Sequence, residues 1–260
     1  MRGYIDTAQG QIHYRREGRG GRNLLLFHQW PLSSVEFERA LPLLAARFTV
    51  FAFDLPGHGG SDPPPAPIAF AGYVDRLWRA VEALGPARFV VAGAHTGAGI
   101  ALELALRAGS ARATHAVFSG IPIIPDDLKA PLRARLRGLV PKADGSHLGE
   151  VWEGRRRSWG ADTPAELLHL GAVEILRAPA HHHWAILSVL DHDPRPSLEK
   201  LDCPALFLNG EEDALAGADA AAARIVADGR LELVPGGALL AWRDPERYAA
   251  EIIAFAGGAA

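Results

Sequence analysis

Six apolar runs of strand length constrain this chain more than anything else in it. "NLLLFH", "FTVFAFD", "RFVVAG", "ATHAVFSG", "PALFLNG" and "LELVP" are nearly continuous in apolar residues, the pattern of strands buried on both faces of a parallel sheet. Between them, apolar residues recur at helical spacing over 34–46, 70–84, 97–108, 216–227 and 245–256. Strands alternating with helices predict a doubly wound α/β sheet. The start reads differently: "YIDTAQGQIHYRREGRGG" alternates apolar with polar residues around a Gln-Gly turn, which predicts a hairpin of edge strands.

One stretch breaks the rhythm. From Ile121 to about Lys200 there are helical segments and loops without a buried strand, with Pro122, Pro125 and Pro131 at the entry and Pro194 and Pro196 at the exit. This predicts a helical insertion at 121–200, with 1–120 and 201–260 forming one core. Six of the chain's eleven histidines fall in the insertion, with Trp152, Trp159 and Trp184, a composition suited to a lid over a pocket.

Composition excludes several functions. A formal charge of −3 without a long basic run argues against nucleic acid or an anionic membrane surface as partner, so a small-molecule ligand is expected. Cys203 is the single cysteine, so no intramolecular disulfide forms. Neither a secretory signal pattern nor an apolar run of roughly 20 residues occurs, and the expected location is the cytoplasm. The oligomeric state is not readable.

Five segments, "LLLFHQWPLSS", "VFAFDLPGHGGSDPP", "VVAGAHTGAGIALELA", "CPALFLNGEEDALA" and "ELVPGGALLAWRDPERYAAEIIAFA", stand in the order and spacing of the α/β-hydrolase superfamily. The resemblance covers residues 4 to 256. It implies an eight-stranded, mostly parallel sheet flanked by helices, with the insertion as a cap domain after the sixth strand. It also implies a nucleophile on a strand-to-helix elbow, an acid after the seventh strand, a histidine after the eighth, and an oxyanion hole of two backbone N–H groups.

Not all of these survive in this chain. The elbow G-x-S-x-G reads Gly93-Ala94-His95-Thr96-Gly97, the acid position falls on Asp213, and "PGGA" puts Ala238 where the base histidine stands; no histidine follows His192. The ordinary serine mechanism is thereby excluded. Serine plus histidine has become histidine plus alanine, as if the imidazole had moved to the elbow. The resemblance assigns the oxyanion donors to the N–H groups of Trp30 and Thr96 in this chain.

His95 has two readings: a residue left by drift after loss of function, or a working side chain, since strain at an elbow costs about 1–3 kcal/mol and persists where it is used. On the second, its ring hydrogen-bonds Asp213 and its other nitrogen activates water or removes a substrate proton. Asp213 reads either as this partner or as a turn residue. The pocket is expected to be bordered by His28, Gln29 and Trp30, with His28 otherwise structural, and by His182, His183 and Trp184 from the insertion. Gly57, His58 and Gly59 serve a tight turn. "HHH" at 181–183 offers no metal site, because consecutive helical positions point about 100° apart. "GRRRSW" at 154–159 reads as a solvated helix face, with an acidic carrier or anionic substrate as the alternative.

Three functions remain open. One is an enzyme without metal or cofactor acting on an ester, lactone or similar carbonyl compound through a His95–Asp213 dyad, with proton abstraction by a lyase or isomerase, or an acyl-histidine, as variants. Another is a non-catalytic ligand-binding protein that keeps the pocket. The third is a cofactor-independent oxygenase on the same fold.

Overall fold

The two kinds of strand pattern separate cleanly in space. A computed structural model describes residues 1–160 and 162–257. The alternating segments form β1 (Arg2–Thr7) and β2 (Gly10–Glu17), an antiparallel hairpin with Thr7 opposite Gly10. The apolar runs form β3 (Arg22–Phe27), β4 (Phe48–Phe53), β5 (Phe89–Ala94), β6 (Ala113–Ser119), β7 (Ala205–Gly210) and β8 (Gly229–Val234). Together they make one eight-stranded sheet, ordered β1-β2-β4-β3-β5-β6-β7-β8, in which every pairing from β4 to β8 is parallel.

The helices among the described residues are α1 (Leu41–Leu44), α2 (Phe70–Leu84), α3 (Thr96–Ala108), α4 (Asp126–Arg135), α5 (Ser146–Trp159), α6 (Ala165–Arg177), α7 (Trp184–Leu190), α8 (Arg195–Leu198), α9 (Ala216–Ala222), α10 (Leu240–Arg243) and α11 (Pro245–Ala256), and those outside the 121–200 stretch flank the sheet on both faces. Successive residues of β3 point to opposite faces. Leu25 and Phe27 pack with Leu77 of α2 and Ile100 and Leu104 of α3. Leu24 and Leu26 pack with Leu41 and Leu44 of α1 and Tyr248 and Ile252 of α11. Each such side chain, wholly removed from water, contributes about 1.5–3 kcal/mol.

The insertion is helical as expected. Helices α4 to α8 fill the chain between β6 and β7, and no strand occurs there among the described residues. Three expectations need correction. The pattern at 34–46 is a 3-10 turn (Ser34–Phe37) capped by Ser33, then the separate α1; Pro42 has no N–H for a continuous helix and sits in the first turn of the new one. Helix α9 stops at Ala222, and the chain tightens into a turn closed by Ile225 N–H on the Ala222 carbonyl at 2.9 Å. "LELVP" is an edge strand, not one buried on both faces: as the last strand of the sheet, β8 exposes Leu231 and Leu233. No helix among the described residues is long and apolar enough to cross a membrane.

Asp54, just after β4, ties three segments together. Its buried carboxylate accepts the N–H of Ser34 (2.6 Å) and of Gly60 (2.7 Å) and faces His13 Nδ1 at 2.7 Å. Burial opposes its ionisation, but the His13, Ser34 and Gly60 hydrogen bonds outweigh this and hold it far below the ordinary carboxylate range. The turn at 57–60 folds around it, as expected for Gly57 and Gly59, both at positive φ.

Asp54→Ala leaves two N–H groups without their acceptor and is expected to lower stability by about 3 kcal/mol at pH 7 in urea unfolding. Because the folded carboxyl is shifted down, its contribution is present above about pH 4 and lost as pH falls toward the folded value, so wild type and variant should converge in acid.

Candidate active site

At the end of β5 the chain reverses into α3 through one residue. His95 has φ 45° and ψ −109°, the positive-φ backbone that a side chain rarely adopts, at a cost of about 1–3 kcal/mol. Its flanking glycines explain what holds it there. A Cβ at Gly97 would lie 2.0 Å from the carbonyl oxygen of Phe27, and one at Gly93 would lie 2.1 Å from that of Gly97. His95 N–H donates to the Ser119 carbonyl at 2.8 Å, and its own carbonyl accepts from Ala98 at 2.9 Å.

The ring of His95 reaches the turn after β7. Nε2 lies 2.9 Å from Oδ2 of Asp213, whose other oxygen accepts the N–H of Leu215 at 2.7 Å. An ionised carboxylate only accepts, so Nε2 carries a proton and Nδ1 is the unprotonated nitrogen of the neutral ring. Gly120 forms the floor: a Cβ there would lie 2.4 Å from Cδ2 and 2.6 Å from Nε2 of His95. The Cδ2–Nε2 edge is thus packed against Gly120 and Asp213, which leaves the edge carrying Nδ1 on the other side of the ring. The Asp213 side chain is wholly buried, while that of His95 retains 27% exposure.

Three buried carboxyl groups surround this imidazole. Burial opposes protonation of His95, but the charge and hydrogen bond of Asp213, with Glu36 and Asp219, raise its pKa above the ordinary histidine value. For Asp213, burial is outweighed by the charge and hydrogen bond of His95, and its pKa is lowered. Burial pushes Glu36 up to about 8, against the N–H of Gln29 that it accepts at 2.8 Å. Burial likewise pushes Asp219 up to about 6, although it accepts the N–H groups of Gly120 (2.8 Å) and Ile121 (2.7 Å) and the Asn209 amide (2.9 Å). Neither Glu36 nor Asp219 stands out in the sequence: one lies in the 3-10 turn Ser34–Phe37, the other in an alanine-rich helix.

The pair opens onto a cleft of about 890 Å³, within the range of small-molecule sites. Gln29 and Trp30 border it as expected, and so does Ala238, whose methyl group shares the cleft with His95 and Asp213. The N–H groups of Trp30 and Thr96 have no hydrogen-bond partner among the described residues.

Four expected contacts are not made. His28 is fully buried away from the cleft: Nε2 accepts the N–H of Leu55 at 2.9 Å and Nδ1 donates to the Gln29 carbonyl at 3.0 Å. It fastens the loop after β3 to the loop after β4. His182, His183 and Trp184 do not line the cleft either. Residues 181–183 form a turn ahead of α7 and not part of a helix, and His182 is buried with its ring stacked on Trp30 at 6.2 Å. The insertion instead presents Arg155 and Trp159 of α5 and Ile186 and Leu190 of α7. "GRRRSW" therefore divides: Arg156 and Arg157 are solvated, but Arg155 is buried in the cleft wall.

A sequence model of the alpha/beta hydrolase fold matches residues 22–237. The chain is 24% identical to a non-heme haloperoxidase of Rhodococcus erythropolis, covering 90% of this chain and 91% of that protein. It is 26% identical to the bifunctional esterase/perhydrolase DCH of Acinetobacter calcoaceticus, with the same coverage of each. The crystal structure of a hydrolase from Pseudomonas aeruginosa PA01 superposes with a TM-score of 0.84 at 21% identity, over 99% of this chain and 98% of that one.

The contact between His95 and Asp213 is directly measurable. In a ring-nitrogen NMR titration, His95 should lose its proton at a pH above the usual value of about 6.5. Asp213→Asn removes the charge that raises it and should move the midpoint down; an unchanged midpoint means the two side chains are not in contact.

Proposed function

Because the chain belongs to the alpha/beta hydrolase family, we propose that it is an enzyme acting on a small organic carbonyl compound, an ester or lactone, with His95 as general base and Asp213 as the residue that orients it. One observation carries the reading: the 2.9 Å contact between His95 Nε2 and Asp213 Oδ2, on a strained elbow that opens into the cleft. A pocket that had kept only ligand binding has no use for this pairing, and alanine at the elbow would fold at no greater cost. The name of the esterase/perhydrolase relative is in keeping with acyl chemistry.

In the proposed reaction Nδ1 of His95 takes a proton from water as the water oxygen bonds to the substrate carbonyl carbon. The carbonyl oxygen becomes an oxyanion held by the N–H groups of Trp30 and Thr96. When this intermediate collapses, the bond to the leaving oxygen breaks and the proton on Nδ1 passes to that oxygen. Asp213 accepts from Nε2 throughout, which keeps the tautomer and stabilises the imidazolium. The cleft is a cap-covered substrate site in this reading, with Ala238 in the space of the base histidine.

Across a panel of esters and lactones, His95→Ala should lower kcat about 100-fold or more while leaving the fold intact by circular dichroism; undiminished turnover excludes His95 as base. Since the base must be neutral and its pKa is raised, kcat should climb with pH through a midpoint above about 6.5. A fluorophosphonate probe should leave the elbow unlabelled in wild type, whereas His95→Ser with Ala238→His should gain labelling there.

A further inference from the structure

A buried cation without a counterion stands in the wall of the cleft. Arg155 is only 8% exposed, and neither its Nε nor its Nη1 has a hydrogen-bond partner among the described residues. The guanidinium carbon lies 4.8 Å from the ring centre of Trp30 and 5.4 Å from that of Trp159, so two aromatic faces hold it in position. Burying a charge in this way is costly unless something pairs with it.

The acids near it are otherwise engaged or in water. Glu174 on the adjacent α6 pairs with Arg177 at 3.3 Å through Oε1; its Oε2 is buried without a partner, yet it makes no ion pair with Arg155, and Asp213 pairs with His95. Asp162 and Glu212 border the cleft but are exposed. Burial alone pushes the guanidinium down to about 10, with no carboxylate opposing it, so it remains charged near neutral pH.

The other unpartnered groups of the wall are of the same kind. Trp30 Nε1 and Arg243 Nε, both in residues that line the cleft, are buried N–H donors without an acceptor. Indole and guanidinium groups only donate and cannot satisfy one another. What these buried donors lack is an acceptor, and the cation among them lacks a counterion.

We infer that the cleft takes a substrate bearing a carboxylate, bound by Arg155 beside Trp30. This deepens the proposed function and rests on reading the cleft as the substrate site. A single planar monoanion matches a single buried guanidinium. The apolar part of the wall, including Ile124, Leu128, Ile186 and Leu190, suits the hydrocarbon portion of such a molecule. Since the backbone N–H of Trp30 is the proposed oxyanion donor, the acid group lies only a few atoms from the carbonyl that is attacked.

Binding of 4-phenylbutyrate and of its neutral counterpart 4-phenylbutyramide, followed by calorimetry, tests this without turnover. Wild type should bind the acid about 10-fold or more tighter than the amide. Arg155→Met should bring the two within about 2-fold, while Arg156→Met, at a solvated position paired with Glu153, should keep the preference. Failure of the acid to bind wild type, equal affinity for acid and amide, or a preference surviving in Arg155→Met overturns the inference. The wild-type comparison decides it even if Arg155→Met does not fold. His95→Ala should retain the acid preference, so loss of the preference in wild type counts against the anion site, and undiminished turnover in His95→Ala counts against the dyad.

Discussion

Between the carbonyl of Phe27 and the backbone of Gly97 there is no room for a β-carbon. That approach draws the start of α3 down onto the end of β3 and leaves His95 as the residue that must turn the chain. The strained dihedrals of His95, its exposure above the sheet and the alignment of the first N–H groups of α3 all follow from it. Gly120 repeats the device one strand over, where its missing side chain makes space for the imidazole. The direction of the ring is thus set by backbone before any side-chain partner is considered.

Electrostatics then distinguishes among the carboxyl groups that the ring meets. Asp213, Glu36 and Asp219 all act on His95. Burial neutralises Glu36 around neutral pH and brings Asp219 close to its titration range, while Asp213 alone is shifted down. The difference lies in direct contact: Asp213 has the imidazole N–H, and the other two bind mainly backbone and amide donors. The charge in direct contact with the imidazole is that of Asp213, and its hydrogen bond holds the tautomer.

Periodicity and spacing made the frame legible. The bounds of α2 and α11 follow from apolar spacing and their caps, and the pairing of His95 with Asp213 was readable because the absent histidine at 238 left the imidazole and its acid as the surviving partners. What could not be read depends on contacts between distant residues. Arg155 sits in a run of three arginines, and only the packing of α5 against α6 and Trp30 decides which one turns inward. Asp219 binds backbone 98 and 99 residues away, a relation with no local signature. His182 and His183 looked like pocket residues by composition, but the turn before α7 directs His182 behind Trp30 instead.

Asp219 also fixes the junction between β6 and the insertion. By holding the N–H groups of both Gly120 and Ile121, it pins the first step of the insertion to the core. The other end of the insertion is held as well: Ala185 and Val189 of α7 and Leu198 of α8 pack among the core side chains of α2 and α3. The floor under His95 is therefore backbone fixed by a buried carboxylate, and the ring rests on a surface that its own contacts do not have to keep in place.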